Sequence, residues 1–282
     1  MYPDLQPSSV FNDKDKTNKN IDTWDILVDV ARTLTTSKYK DDFRMRGMFV
    51  LRSFLRDKID PSLLRGTTDI DSDFRDRQKW ESLVSELESL LNNNTQISAI
   101  YSIVKRRGFD KNPNSDSIAI RVIVEDIINE RIKLDINIRS WKEDQEYIIP
   151  EITFEANTFY AMLCDKISVL TQPRLQRRIK DLYDVYLIQK SVDVDMSTLV
   201  KTWNQEERIL GKPIALIDVN ILHNLKHAYN VYDGFNPSLD FDEVYVRVID
   251  FTTQLFQILY GYDTNSEAKW DSKKGVWING LA

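Results

Sequence analysis

Cysteine is almost missing from this chain: Cys164 stands alone in 282 residues. A single thiol excludes an internal disulfide and a cysteine-based zinc finger, and it fits a reducing cytosol. Histidine is nearly as scarce. His223 and His227 stand four apart, but a zinc-protease helix needs Glu after the first, and Asn224 is there. Eight Gly and eight Pro are too few for a collagenous, linker-like or largely disordered chain. No Walker-type or dinucleotide-binding Gly loop exists, which removes P-loop and Rossmann readings. No apolar run approaches the roughly 18–20 residues of a membrane span. The opening MYPDLQPSSVFNDKDKTNKN has no apolar core of a signal peptide, so a cytoplasmic protein without membrane contact is expected.

What is present suits a globular protein with a real core. Apolar residues make up 42% and charged residues 29%, and the net charge of −6 argues against a coat of DNA-binding charge while leaving room for a local basic groove. Residues 1–20 are polar and aperiodic and read as a mobile arm. Helical periodicity predicts helices from about Ile21, over Asp42–Arg56 and over residues 77–92. Period-two alternation predicts strands after Gly66, over Ile97–Val104, over Ser117–Val124 and around Ile132–Ile138. Helices then dominate: Thr158–Leu170, Arg177–Gln189 and Asp240–Tyr260. Trp270 and Trp277 make the last dozen residues too apolar to dangle. The expected organisation is α+β. An α/β core over 21–150, a small mixed or antiparallel sheet flanked by helices, packs on a helical half over 151–282.

Asp69-Ile70-Asp71 is the most informative triplet. Residues two apart on a strand share a face, so both carboxylates project together while Ile70 faces the core. Close like charges repel and raise one pKa unless a cation sits between them. Asp135 lies on the polar side of Ile132, Leu134, Ile136 and Ile138. If its strand neighbours the first, three carboxylates converge, a donor set suited to Mg²⁺ or Mn²⁺. Asp73 shares the same face, either as a fourth participant or as the solvated end of the strand, the second being favoured. Two basic clusters, Arg174/Arg177/Arg178/Lys180 and Lys105-Arg106-Arg107, are read as phosphate contacts or as solvated faces. Cys164 sits in an apolar helix pattern and is expected in the core.

The ordered set of segments resembles a known family. Arg65-Gly66-Thr67-Thr68-Asp69-Ile70-Asp71 is similar to the R-x-[ST]-x-D-[IL]-D motif of the AbiEii/AbiGii toxin family of nucleotidyltransferases, within the DNA polymerase β-like superfamily. Its upstream Gly turn would be Arg46-Gly47-Met48, with Met48 where the family has a second small residue. The later strand is Lys133-Leu134-Asp135-Ile136. The Lys-bearing helix is Met162–Ile167, and the last element is Arg178-Ile179-Lys180-Asp181-Leu182-Tyr183-Asp184-Val185. The resemblance implies a nucleotidyltransferase core and an in-line transfer of NMP from NTP. Asp69, Asp71 and Asp135 would hold the metal ions. Lys166 would meet the β/γ-phosphates, with Asp184 and Asp181 orienting it or the nucleotide. Gly47, Arg65, Thr67 and Thr68 would border the nucleotide, and a Thr hydroxyl would replace the one Met48 lacks. It also implies a toxin of a bacterial toxin–antitoxin or phage-defence pair with an antitoxin encoded nearby. The acceptor would be RNA, plausibly a tRNA 3′ end, held in part by Arg174, Arg177, Arg178 and Lys180. A weakened member that binds nucleotide or RNA without turnover, or a transferase acting on protein, are the alternatives.

Overall fold

The computed structural model describes residues 21–110, 112–124, 128–141 and 143–279, so the arm expected over 1–20 lies outside them. Helix α1 (Thr23–Thr36) begins on a capping box: the Asp25 amide donates to the Asp22 carboxylate, and the Asp22 amide donates to Asp25. Its stripe of Leu27, Val30, Ala31 and Leu34 is buried. The helix expected over Asp42–Arg56 is instead strand β1 (Phe43–Arg46) followed by helix α2 (Gly47–Leu55). Phe43 and Met45 alternate with Arg44 and Arg46, and Gly47, at φ +74°, breaks the strand where a helix would have run through.

Strand β2 (Asp69–Phe74) leads to helix α3 (Arg77–Asn94), capped by Asp76, which accepts from the amides of Gln78 and Lys79. Strands β3 (Ala99–Arg106), β4 (Ser115–Val124) and β5 (Ile128–Ile138) follow. Strands β6 (Gln145–Ile149) and β7 (Ile152–Ala156) form a hairpin that the sequence reading did not foresee. Then come α4 (Phe159–Leu170), α5 (Ile179–Ser191), the short β8 (Val194–Asp195), α6 (Met196–Gln205), α7 (Val219–Asn230) and α8 (Phe241–Leu259). Strands β9 (Lys269–Asp271) and β10 (Val276–Ile278) end the described chain.

Seven strands form one sheet in the order β3-β4-β5-β2-β1-β7-β6. Neighbours are antiparallel except β2/β5 and β1/β7, which run parallel. The sheet thus continues to Ala156, past the change of composition at residue 150. One face is apolar: Ile70, Ile118, Ile120, Val122, Leu134 and Ile136 are buried, as are Trp80, Leu83, Leu87 and Leu91 of α3. The other face carries Asp69, Asp71 and Asp135. As expected, the C-terminal tail docks. Trp270 is buried with Nε1 donating to the Gln189 carbonyl at 2.6 Å, and Trp277 donates to the Phe251 carbonyl at 2.9 Å. The fold is α+β, as the sequence predicts. Among the described residues no helix is long and apolar enough to cross a membrane.

Candidate active site

The register of two parallel strands builds the acidic wall. Asp71 on β2 stands opposite Asp135 on β5, and Asp69 opposite Lys133. Aligned residues on neighbouring strands share a face. Asp69, Asp71 and Asp135 are therefore neighbours on one surface: spacing put the first two on one face, and the β2/β5 pairing adds the third. Burial pushes the Asp71 carboxyl above the ordinary Asp range; Arg46 pulls it back, and the charges of Asp135 and Asp69 push it further up. Lys133 Nζ donates to Asp135. Hard carboxylate oxygens on one face, one of them raised chiefly by burial, suit a hard divalent cation. Among the described residues no three such groups already point at one spot.

Gly47 sets the edge of this wall. Its positive φ is one reason for glycine, and the other is contact: a Cβ there would come 2.8 Å from Asp71 Cγ and nearer still to Oδ2. Gly66 lacks both constraints. Met48 is buried in α2 and supplies no hydroxyl. Two threonines border the acidic wall. The Asp69 amide donates to Thr67 Oγ1 at 3.2 Å, and Thr68 Oγ1 donates to Asp69 Oδ1 at 3.4 Å.

The facing wall is a buried charge network from three distant segments. Arg65 grips Asp184 with both arms of its fork, Nε to Oδ1 at 2.8 Å and Nη2 to Oδ2 at 2.7 Å. Lys166 of α4 donates to Asp184 at 2.6 Å and to Asp181 at 3.0 Å, both on α5. Asp184 is fully buried. Burial alone would raise its pKa, but Lys166 and Arg65 outweigh it and hold the carboxyl below the ordinary Asp range. Burial likewise opposes charge on Lys166, and Asp184 and Asp181 reverse the shift upward.

Between the walls lies a cleft of about 640 Å³, bordered by Asp69, Asp71, Thr67, Gly47 and Lys166. Arg177, Arg178 and Lys180 line it too, whereas Arg174, at φ +67°, borders a separate, more apolar groove. A smaller lobe of about 220 Å³ continues past Asp71 and Lys166 to Arg46 and Asp165. Asp184 does not reach the cleft; it touches it through Lys166.

Asp73 corrects the sequence reading. It is fully buried, not the solvated end of β2. Arg44 holds it at 2.7 Å, Arg139 at 2.8 Å and Arg46 at 3.1 Å. Burial would raise its pKa, but the three guanidiniums hold it down. Cys164 is buried, as expected, and its thiol is pushed up by burial. Sequence reasoning missed several cleft residues, among them Trp24, Arg52 and Tyr232. Trp24 borders the cleft with Arg52 stacked over it at 4.7 Å. Tyr232 borders it from a loop after α7, with Lys180 over its ring at 4.8 Å. The signal for Trp24 was its place at the very start of α1, beside the turn of α2; Tyr232 had none.

The fold has counterparts among solved structures. JHP933 from Helicobacter pylori has a similar structure, with a TM-score of 0.53 at 12% identity over 84% of this chain and 91% of that one. MenT4, a nucleotidyltransferase toxin from Mycobacterium tuberculosis H37Rv, aligns with a TM-score of 0.46 at 13% identity, over 85% of this chain and 91% of its own. No curated protein sequence matches. Residues 29–243 match the model of the family described as nucleotidyl transferase AbiEii toxin, type IV toxin–antitoxin system. That match spans most of the chain, both walls of the cleft included, and the chain belongs to the AbiEii family of nucleotidyltransferase toxins.

Proposed function

We propose that the cleft transfers a nucleoside monophosphate from an NTP to a hydroxyl of RNA such as a tRNA 3′ end, the hydroxyl oxygen bonding to the α-phosphorus as its bond to the β-phosphate oxygen breaks and pyrophosphate leaves, and that an antitoxin encoded nearby restrains it. The observation that carries this reading is the register of Asp71 against Asp135 across from the buried Arg65–Asp184–Lys166 network. Asp69, Asp71 and Asp135 would hold Mg²⁺ or Mn²⁺, which when bound supplies charge neutralisation at the reacting phosphate. Asp135, opposite Asp71 in the register and bonded by Lys133, would accept the proton of the attacking hydroxyl. Lys166 has three donors and spends two on Asp181 and Asp184, leaving one for a β- or γ-phosphate oxygen. Asp184 and Arg65 act as positioning residues: they hold the ammonium charged and aimed. Arg177, Arg178 and Lys180 add positive charge on the same side of the cleft.

The test is radiolabelled NTP offered with total RNA and with total protein, in Mg²⁺ or Mn²⁺. Label on RNA that disappears in Asp69→Ala and Asp71→Ala supports the reading. Label on protein makes the acceptor a side chain. Absence of label with every NTP favours a protein that binds without turnover, the reading that buried, hydroxyl-free Met48 would favour.

A further inference from the structure

The sheet extends beyond the acidic wall, and its outer half is unlike the rest of this acidic protein. The register places Ser117 opposite Asp135, Ser115 opposite Asn137, Ala119 opposite Lys133 and Arg121 opposite Arg131. On β3, Lys105 stands opposite Ala119. These residues share the face of Asp71 and Asp135, because register partners point the same way. Arg107, just past β3, reaches the same face, donating to Ser115 Oγ at 2.7 Å. Arg139, just past β5, lies at its inner end beside Asp73. The face therefore carries Lys105, Arg107, Arg121, Arg131, Lys133 and Arg139, and among these positions Asp135 is the lone carboxylate. All six are exposed or half-exposed. The alternation also separates the Lys105-Arg106-Arg107 run. Arg106 turns to Glu81 at 2.7 Å and Asp116 at 2.6 Å, a structural pairing on the covered side.

Two features mark this face as built for an anion. Arg121 and Arg131 are directly opposed across an antiparallel pair, where like charges destabilise the sheet. Two buried guanidinium nitrogens also go without hydrogen-bond partners: Nε of Arg121 and Nη2 of Arg139, whose Nε is already paired with Asp73 at 2.8 Å. Such donors cost free energy unless an acceptor arrives. From Arg131 to Arg139 the row runs about 26 Å along β5, with Asp135 at its centre, and it is roughly 10 Å wide from β3 to β5.

Resting on the proposed transferase reading, we infer that this open face of β3, β4 and β5 is the docking surface for the acceptor strand's phosphate backbone. It delivers the 3′ hydroxyl to Asp135 from the side opposite Lys166. The two basic surfaces then divide the work. Arg177, Arg178 and Lys180 serve the donor triphosphate, and the sheet face serves the acceptor polynucleotide.

The experiment measures binding rather than turnover, so it stands apart from the labelling test. A fluorescently labelled single-stranded RNA oligonucleotide with a free 3′ hydroxyl is titrated over a range of salt against the full chain and the triple variant Arg107→Ala/Arg121→Ala/Arg131→Ala. Each lost phosphate contact lowers the slope of log K against log salt by about 0.7. The variant should lose about 2 from the slope and bind at least about ten-fold more weakly at 0.1 M salt. The corresponding Arg→Lys triple should keep the slope, and fluorescent NTP should bind all three proteins equally. Arg131→Glu alone, at an exposed position, should weaken RNA binding by a comparable factor without disturbing the fold. Unchanged RNA binding in the alanine triple or in Arg131→Glu overturns the inference. So does a wild-type chain that ignores RNA, or one whose sheet face binds an acidic protein instead. RNA binding that follows the salt law in a chain that labels nothing would sink the transferase reading and leave this surface standing.

Discussion

The two walls of the cleft solve the problem of buried charge in opposite ways. On the helical wall Asp184 meets Arg65 and Lys166 with short, well-aligned bonds, and its pKa falls. On the strand wall Asp71 sits among Asp69 and Asp135 with Arg46 as its main counter-charge, and its pKa rises. One wall has its charges paired. The other holds an electrostatic debt that only a cation or a proton settles. A protein keeps such an unfavourable cluster where function needs it, since charged groups placed like this lower stability.

The contrast can be broken from either side. Asp184→Ala leaves Arg65 and Lys166 buried without a partner and should cost about 3–5 kcal/mol in urea denaturation. Equal unfolding midpoints for variant and parent would mean the network is solvated. Asp69→Ala and Asp71→Ala should each lower nucleotide transfer by on the order of 10²–10³-fold while leaving the urea midpoint nearly unmoved. A variant that labels normally removes the strand wall from the chemistry. Gly47→Ala forces a side chain into the left-handed region and against Asp71, at about 1–3 kcal/mol, with loss of transfer in parallel. A silent Gly47→Ala would show that the turn yields easily.

The smallest effect is the sharpest in sign. The Asp71 pKa is raised in the folded chain, so ionising it at neutral pH opposes folding. Asp71→Asn should raise the thermal midpoint by about 1–4 °C at pH 7. The gain should vanish as pH falls below the ordinary Asp value of 3.8, where both folded and unfolded parent chains carry the proton. Asp184 runs the other way. Its contribution is present above 3.8 and is lost only as pH falls through its depressed value, so Asp184→Asn should destabilise at pH 7. Thermal melts of both variants across pH give the comparison directly.

The legible parts of the site were those written in local periodicity. Asp69 and Asp71 share a face because strands alternate, and Asp135 shares it because Ile132, Leu134 and Ile136 fix which side of β5 is apolar. Lys166, Asp181 and Asp184 came from an ordered resemblance, and the structure brings them within hydrogen-bond distance. The Asp42–Arg56 segment misled because Phe43, Val50, Leu51 and Phe54 fit a helical stripe. The strand–turn–helix break depends on Gly47 meeting Asp71, a contact 24 positions away in the chain that no window of sequence contains. Asp73 misled for the same reason. Its polarity is local, whereas its burial comes from Arg44 and Arg46 on β1 and Arg139 beyond β5.

By itself the sequence determined which face each strand and helix would bury, because side-chain direction repeats with the backbone's own period. It also settled the chemical kinds of group available for a site. Only the tertiary structure decided which charges meet. The pairing of Arg65 with Asp184 spans 119 positions, and the match of Asp71 to Asp135 requires two strands to lie parallel in one register among many. Electrostatic and hydrogen-bond energies depend on distances of a few ångströms, and those distances exist only after the apolar core has chosen the packing.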